Sequence, residues 1–167
     1  MLKVSNKYLW YALYCRTRHE KRVEENLRDD GFESYCPVVR TRRKWSDRMK
    51  WVDLPLFSSY VFVRVSNREY FKVLHHPAIM KFVSFGGKPS VVPERHIEAV
   101  RKALGENLDF EITSATFKAG QQVTVQAGPL MGHSGQVVRH AGRKALYIRM
   151  GETGYGMLVQ VPAAYLG

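Results

Sequence analysis

Six residues without a charged or strongly polar break, Trp10-Tyr11-Ala12-Leu13-Tyr14-Cys15, open the readable pattern of the chain. Such a run suits a strand covered on both faces. Thr17-Arg18-His19-Glu20 then spells a capping box, in which Thr17 accepts from a free helix N–H and Glu20 reaches back. Val23 and Leu27 lie one helical step apart, and Gly31 supplies a stop. Strand-like residues return from Phe32 to Val39, and the basic run from Arg40 to Trp51 reads as a hairpin or a mobile loop. Leu56 to Val65 carries the strongest strand signal of the chain. Ser66 and Glu69 form a second capping box before a short helix with Tyr70, Val73 and Leu74. Lys81 to Phe85 is strand-like, and Pro93 to Leu104 predicts a helix with Ile97, Val100 and Leu104 on one stripe. This order predicts an α+β sandwich with a mostly antiparallel sheet.

The pattern changes after Gly105. The stretch 106–116 is acidic and polar, follows a helix stop and resembles a linker. Beyond it lie four short strand candidates, at 121–125, 135–138, 145–148 and 157–161, punctuated by eight glycines. Short strands with frequent glycine turns predict a small β-barrel. A long helical alternative for this segment would cost about 1 kcal/mol per interior glycine, so a stable barrel that does not switch fold is expected. The expected organisation is a first domain at 1–105, a linker at 106–116 and a second domain at 117–167.

Charge sharpens this division. The 167-residue chain carries 26 Lys and Arg against 15 Asp and Glu, a formal net charge of +11. Residues 1–105 hold 21 of those cations and 11 of the carboxylates, which leaves only +1 for the remainder. An excess of that size points to a polyanionic partner, nucleic acid or something that carries it. No run approaches the roughly 18 apolar residues of a membrane span, and the start does not read as a secretory signal, so a cytoplasmic protein without membrane association is expected. Cys15 and Cys36 form no CxxC pair and read as buried thiols. His75, His76, His96, His133 and His140 show no metal-ligand spacing, and no phosphate loop, dinucleotide fingerprint or nucleophile elbow occurs. A non-enzymatic protein with no cofactor and no metal is expected.

The stretch from Phe117 to Val137 resembles a KOW motif, G-x-x-V-x-V-x-x-G-P-x-x-G-x-x-G-x-V, with Gly120, Gly128, Pro129, Gly132 and Gly135 at its turn positions. Earlier in the chain come Trp10 to Cys15, Pro55 to Val63 and Phe82 to Pro93. They stand in the order of the N-terminal (NGN) domain of the NusG family of transcription elongation and antitermination factors. The likeness is greatest to its specialised RfaH-like and Bacteroides UpxY-like paralogs. Two departures stand out. Ser58-Ser59 occupies the place where many members carry Pro-Gly or Pro-Asn before the tyrosine. No Thr-rich motif stands near residues 69–72, where a polymerase gate-loop contact would fall.

The resemblance implies a monomeric clamp protein. Its NGN domain would bind the clamp helices of the largest RNA polymerase subunit and suppress pausing or termination, in an operon-specific manner. Its KOW domain would tether termination factor Rho or a small-subunit ribosomal protein. Tyr14, Phe57, Tyr60 and Phe62 are then the candidates for polymerase contact; read without the family, the same aromatics fill a core. Arg16, Arg18, His19, Lys21 and Arg22 would face the non-template DNA strand, or else form a solvated helix face balanced by Glu20, Glu24 and Glu25. The run Arg40, Arg42, Arg43, Lys44, Arg48 and Lys50, interleaved with Trp45 and Trp51, suggests nucleic-acid or polymerase contact, since exposed tryptophans are uncommon without a partner. A reading of another class is an RNA-binding, ribosome-associated KOW protein, whose RNA affinity would survive loss of Tyr14, Tyr60 and Phe62.

Overall fold

A computed structural model describes residues 5–115, 117 and 120–166; residues 1–4, the end of the expected linker at Thr116, and Lys118, Ala119 and Gly167 of the expected second domain lie outside the described residues. The chain divides into two units, Met1–Ser90 and Val91–Gly167.

The first unit is built on β1 (Leu9–Cys15), α1 (Glu20–Asp29), β2 (Glu33–Tyr35), β3 (Val38–Trp45), β4 (Arg48–Pro55), β5 (Tyr60–Val65), α2 (Tyr70–Leu74), β6 (Ile79–Phe82), β7 (Ser84–Phe85) and β8 (Lys88–Pro89). Its main sheet runs in the order β2-β5-β1-β6, with antiparallel pairing throughout. Side chains alternate across a strand. Tyr11, Leu13 and Cys15 of β1 therefore join Val61, Val63 and Val65 of β5 on one face, where Val23 and Leu27 of α1 and Val73 of α2 complete a core. Tyr11, Tyr70 and Phe82 stack in that core with ring centres 4.8–5.9 Å apart. The opposite face takes Trp10, Ala12 and Phe62, all buried, and Tyr14 and Tyr60, half-buried. The unbroken apolar run of β1 thus has its physical reason: both faces of the central strand are covered.

Cys15 and Cys36 lie buried in the same core as free thiols, and burial pushes both up to about 12. The thiolate, which is the reactive form, is thereby suppressed. The helix stop at Gly31 takes a left-handed φ of +87°, and Phe32 N–H closes the turn onto the Leu27 carbonyl. The capping box at Ser66 is present, with Glu69 Oε2 accepting from Ser66 N at 3.0 Å. The strand expected from Leu56 begins only at Tyr60. Residues 56–59 form a bend and turn instead, because Ser59 sits at φ +69°, which no strand tolerates.

The second unit holds β9 (Val91–Val92), α3 (Glu94–Gly105), β10 (Phe110–Thr113), β11 (Gln121–Thr124), β12 (Ser134–His140), β13 (Arg143–Arg149) and β14 (Gly156–Gln160). The last five make an antiparallel sheet in the order β10-β14-β13-β12-β11. Within the stretch that reads as a linker, Phe110–Thr113 pairs with β14 along its whole length. Ile97, Val100 and Ala103 of α3 are buried, as are Leu146, Ile148, Met157, Leu158 and Val159 of the sheet. Gly128 and Gly132 take φ of +82° and +87°, and Tyr165 overlies Gly128. Gly135 and Gly120 are places of close approach: a Cβ at Gly135 would lie 2.8 Å from Leu146 Cδ1, and one at Gly120 would run into the Val137 carbonyl. Pro129 follows the left-handed Gly128 at the loop tip. Among the described residues no helix is long and apolar enough to cross a membrane.

At Gly156 an added Cβ would meet the ring of Tyr147, whereas at Gly105, the last residue of α3, it would meet nothing. Gly156→Ala is expected to destabilise the protein by about 1–3 kcal/mol, the usual effect of overpacking. Gly105→Ala should be neutral or stabilising by up to about 1 kcal/mol. Urea unfolding followed by circular dichroism checks both; equal stability of Gly156→Ala and wild type would mean that the Tyr147 ring swings aside freely.

Candidate functional site

The end of β1 and the start of β5 meet through a buried carboxylate. Glu20, the first residue of α1, is 2% exposed, and its Oε1 accepts from Ser59 N at 2.9 Å and from Arg18 N at 3.1 Å. A carboxylate accepting two backbone N–H groups makes charge-assisted hydrogen bonds, which are stronger than neutral ones. The expected capping box at Thr17 is therefore not what forms. His19 is the N-cap residue and no side chain caps the helix; Thr17 Oγ1 instead meets Ser59 Oγ at 2.8 Å. The local motif supplies the right residues, but a second turn, 39 residues away, claims the glutamate.

This arrangement explains the departure at Ser58-Ser59. Glycine and asparagine are the residues that enter the left-handed region most easily. Ser59 occupies that region at φ +69°, held there by Glu20 on its N–H and by Thr17 on its hydroxyl. Arg18 is also left-handed, at φ +70°, with its N–H on the same carboxylate oxygen. Cys15 N donates to the Ser59 carbonyl and Arg16 N to the Ala78 carbonyl, both at 2.9 Å, so the turn 16–19 is tied on two sides.

Above this clamp sit the aromatic candidates. Tyr14 and Tyr60 are register partners, with ring centres 5.7 Å apart and tilted by 54°. Both are half-buried, so each keeps part of its surface accessible. Phe57 and Phe62 are placed differently. They are 1% and 0% exposed and pack edge to face at 5.8 Å. Their rings lie in the interior, as the reading without the family has it. Arg16, Arg18, His19, Lys21 and Arg22 are all exposed around the same turn. Because α1 starts at Glu20, Arg18 lies outside the helix and does not share a helix side with Lys21 and Arg22.

The basic run forms a hairpin, β3 with β4, turning at Ser46 and Asp47. Arg40, Arg42, Arg43, Lys44, Arg48 and Lys50 are all exposed. Arg40 and Arg42 each place their guanidinium carbon 5.6 Å from the centre of the Trp51 ring, and Lys50 Nζ lies 5.0 Å from that of Trp45. The histidines serve locally: His76 meets Asp30 at 2.8 Å, His140 meets Glu111 at 3.1 Å, and His96 Nδ1 reaches the Arg149 carbonyl at 2.7 Å. Among the described residues no group of three His, Cys, Asp or Glu could hold a metal ion.

The model of the family described as transcription termination factor nusG matches residues 8–101, more than half of the chain. Among solved structures, one titled "Domain interaction in Thermotoga maritima NusG" is 23% identical, with 92% of this chain and 93% of that chain covered, at a TM-score of 0.46. A structure of the MjSpt4:Spt5 complex is 14% identical, with 85% and 84% covered, at a TM-score of 0.34.

Removing the clamp has a defined consequence. Glu20→Ala leaves the buried Ser59 N–H without its acceptor and is expected to cost about 2–3 kcal/mol, as loss of a hydrogen bond to a charged group does. Glu20→Gln keeps an acceptor oxygen and should cost about half as much. Urea unfolding measures the cost, and amide exchange at Ser59 should quicken in Glu20→Ala first. An unchanged Ser59 exchange rate would mean that the turn stands without the carboxylate.

Proposed function

The chain belongs to the NusG family, and from that premise we propose that it is a non-catalytic transcription elongation or antitermination factor. It binds RNA polymerase through the sheet face that carries Tyr14 and Tyr60. The observation that carries this reading is the Glu20 clamp, inside the family-matched segment, which sets an accessible tyrosine pair beside the exposed turn of Arg16, Arg18, His19, Lys21 and Arg22. Aromatic side chains that keep an accessible face are preferred anchors of protein interfaces. Cations beside them suit phosphates of a nucleic-acid strand entering the same complex. The partner surface is the clamp helices of the largest polymerase subunit, and the strand is the exposed non-template DNA.

The mechanism is differential binding. A factor that prefers the closed, active polymerase shifts the equilibrium toward it by no more than that preference, with no bond made or broken. The large positive charge of residues 1–105 favours a specialised, operon-specific paralog of the RfaH-like or UpxY-like kind, since recruitment at a DNA element needs contacts beyond those to polymerase. In this reading residues 1–105 are the NGN domain, 106–116 lead to the second domain, and 117–167 form a KOW barrel that engages Rho or a small-subunit ribosomal protein.

Phe57 and Phe62 support the site from beneath; the contact itself falls to Tyr14 and Tyr60. The test is binding of the full chain to core RNA polymerase from its own host. Tyr14→Ala and Tyr60→Ala, each shown folded by circular dichroism, are expected to weaken binding at least tenfold, as interface anchors do. Undiminished binding by both variants would move the polymerase site off this face. Absence of polymerase binding by wild type, with affinity for ribosomal RNA retained, would replace the proposal with a ribosome-associated role.

A further inference from the structure

The β3–β4 hairpin carries more than charge. Its register sets Arg42 directly opposite Trp51 and Lys44 opposite Met49, with Arg40 two residues along the same face. Alternation places Trp45, Arg48, Arg43 and Lys50 on the other face. Each face of the ribbon therefore bears one indole overlain by cations: Trp51 by Arg40 and Arg42, Trp45 by Lys50. The indoles are 55% and 62% exposed, so neither is part of a core.

We infer that this hairpin binds an unpaired nucleic-acid strand, stacking bases on Trp51 on one face and on Trp45 on the other while its cations hold the phosphates. The inference rests on the reading of Arg40, Arg42, Arg43 and Lys44 as a nucleic-acid contact, and it names the form of nucleic acid and the groups that grip the bases. Two observations favour an unpaired strand. Bases in a duplex are already stacked on their neighbours and offer an indole nothing without unstacking, whereas unpaired bases take aromatic rings and guanidinium planes as stacking partners. Finally, a duplex groove that admits a two-stranded ribbon would contact one face, and the second exposed indole would be left in water.

A protein partner fits less well. Six cations on this hairpin face only Asp47 and Asp53. A protein that covered them would have to bury matched carboxylates for each, while a phosphate chain supplies anions at a regular repeat and releases counterions on binding. The shared chemistry is a single strand of either sugar, and the experiment separates DNA from RNA.

The test uses the full chain with fluorescein-labelled dT12, U12 and a 12-base-pair duplex, read by anisotropy and by tryptophan emission. Trp10, the third tryptophan, is 3% exposed and gives a steady background. The unpaired oligomers are expected to bind more tightly than the duplex and to quench emission, and the ratio of dT12 to U12 affinity identifies the source. Trp51→Ala and Trp45→Ala should each weaken binding about tenfold, the effect of losing one stacked base, and leave the salt dependence unchanged. Arg42→Ala should lower the slope of log affinity against log salt by about 0.7. Trp51→Phe and Trp45→Phe, which keep a ring, should recover most of the loss and so separate stacking from hairpin stability. Full affinity in both alanine variants with a reduced slope in Arg42→Ala would overturn stacking while leaving the basic hairpin as a phosphate contact. Duplex preference would overturn the unpaired strand, equal affinity for polyglutamate with the same tryptophan dependence would assign the surface to an acidic protein, and no binding of any probe would remove the hairpin from nucleic-acid contact altogether.

Discussion

The carboxylate of Glu20 is the contact on which the geometry of the first unit's site depends. One oxygen holds two backbone N–H groups from turns that are distant in sequence. Both turns need the hold, because Arg18 and Ser59 each occupy the left-handed region where a side chain with a Cβ is disfavoured by about 1–2 kcal/mol. A buried charge is costly unless hydrogen-bonded, and here its bonds settle both problems together: the carboxylate is satisfied and the strained turns are fixed. The consequence reaches the surface. β5 can begin at Tyr60 only because the chain reverses at Ser59, and that start sets Tyr60 in register with Tyr14.

From that register follows a division of labour between the two sheet faces. Leu13 and Val61 point into the core that α1 and α2 cover, and they neighbour Tyr14 and Tyr60, which point the other way. A shift of one residue in the pairing would bury the tyrosines and expose the valines. The core therefore guards the site against slippage: Val61, Val63 and Val65, all fully buried, make any other register expensive. Phe62, two residues on from Tyr60, stays in the interior against Phe57 and supports the sheet from the face on which the tyrosines emerge.

Much of this was legible along the chain. The apolar run at 10–15, the Val23/Leu27 stripe and the Ser66/Glu69 box are local signals, and local hydrogen bonding and burial are what produce them. The misreadings share a cause, which is that the deciding partner lies far away in sequence. Thr17 and Glu20 look like a capping box because their spacing satisfies one, but Ser59 competes for both side chains. Leu56 to Ser59 continue an apolar strand pattern, yet the left-handed turn at Ser59 overrides it. Phe110–Thr113 alternates apolar and polar residues over only four positions inside an acidic stretch, too short a signal to read as a strand without its partner β14. The buried place of Phe57 and Phe62 and the half-buried place of Tyr14 and Tyr60 could not be separated by residue type, since all four are aromatics close in sequence or in the sheet; their position does it, with Tyr14 and Tyr60 paired at the end of the β1–β5 ladder and Phe62 farther along the same face against Phe57.

The hairpin obeys a different rule, and its chemistry follows from its poverty of core. A two-stranded ribbon is at best marginally stable in water, and here burial falls away from the half-buried Val38, Leu54 and Pro55 toward an exposed tip. What remains to stiffen the outer half is cross-strand pairing of side chains, each pair contributing a few tenths to about 1 kcal/mol. Tryptophan beneath cations is an efficient choice for that task, since cation–ring contact contributes about 0.5–1 kcal/mol even when exposed. The same layer is an open one. Its rings and cations tie the two strands together while both indoles stay more than half exposed. A ribbon with so little core is thus stiffened by residues whose rings and cations stay in water, so that its cross-strand stability and its exposed chemistry have one physical origin.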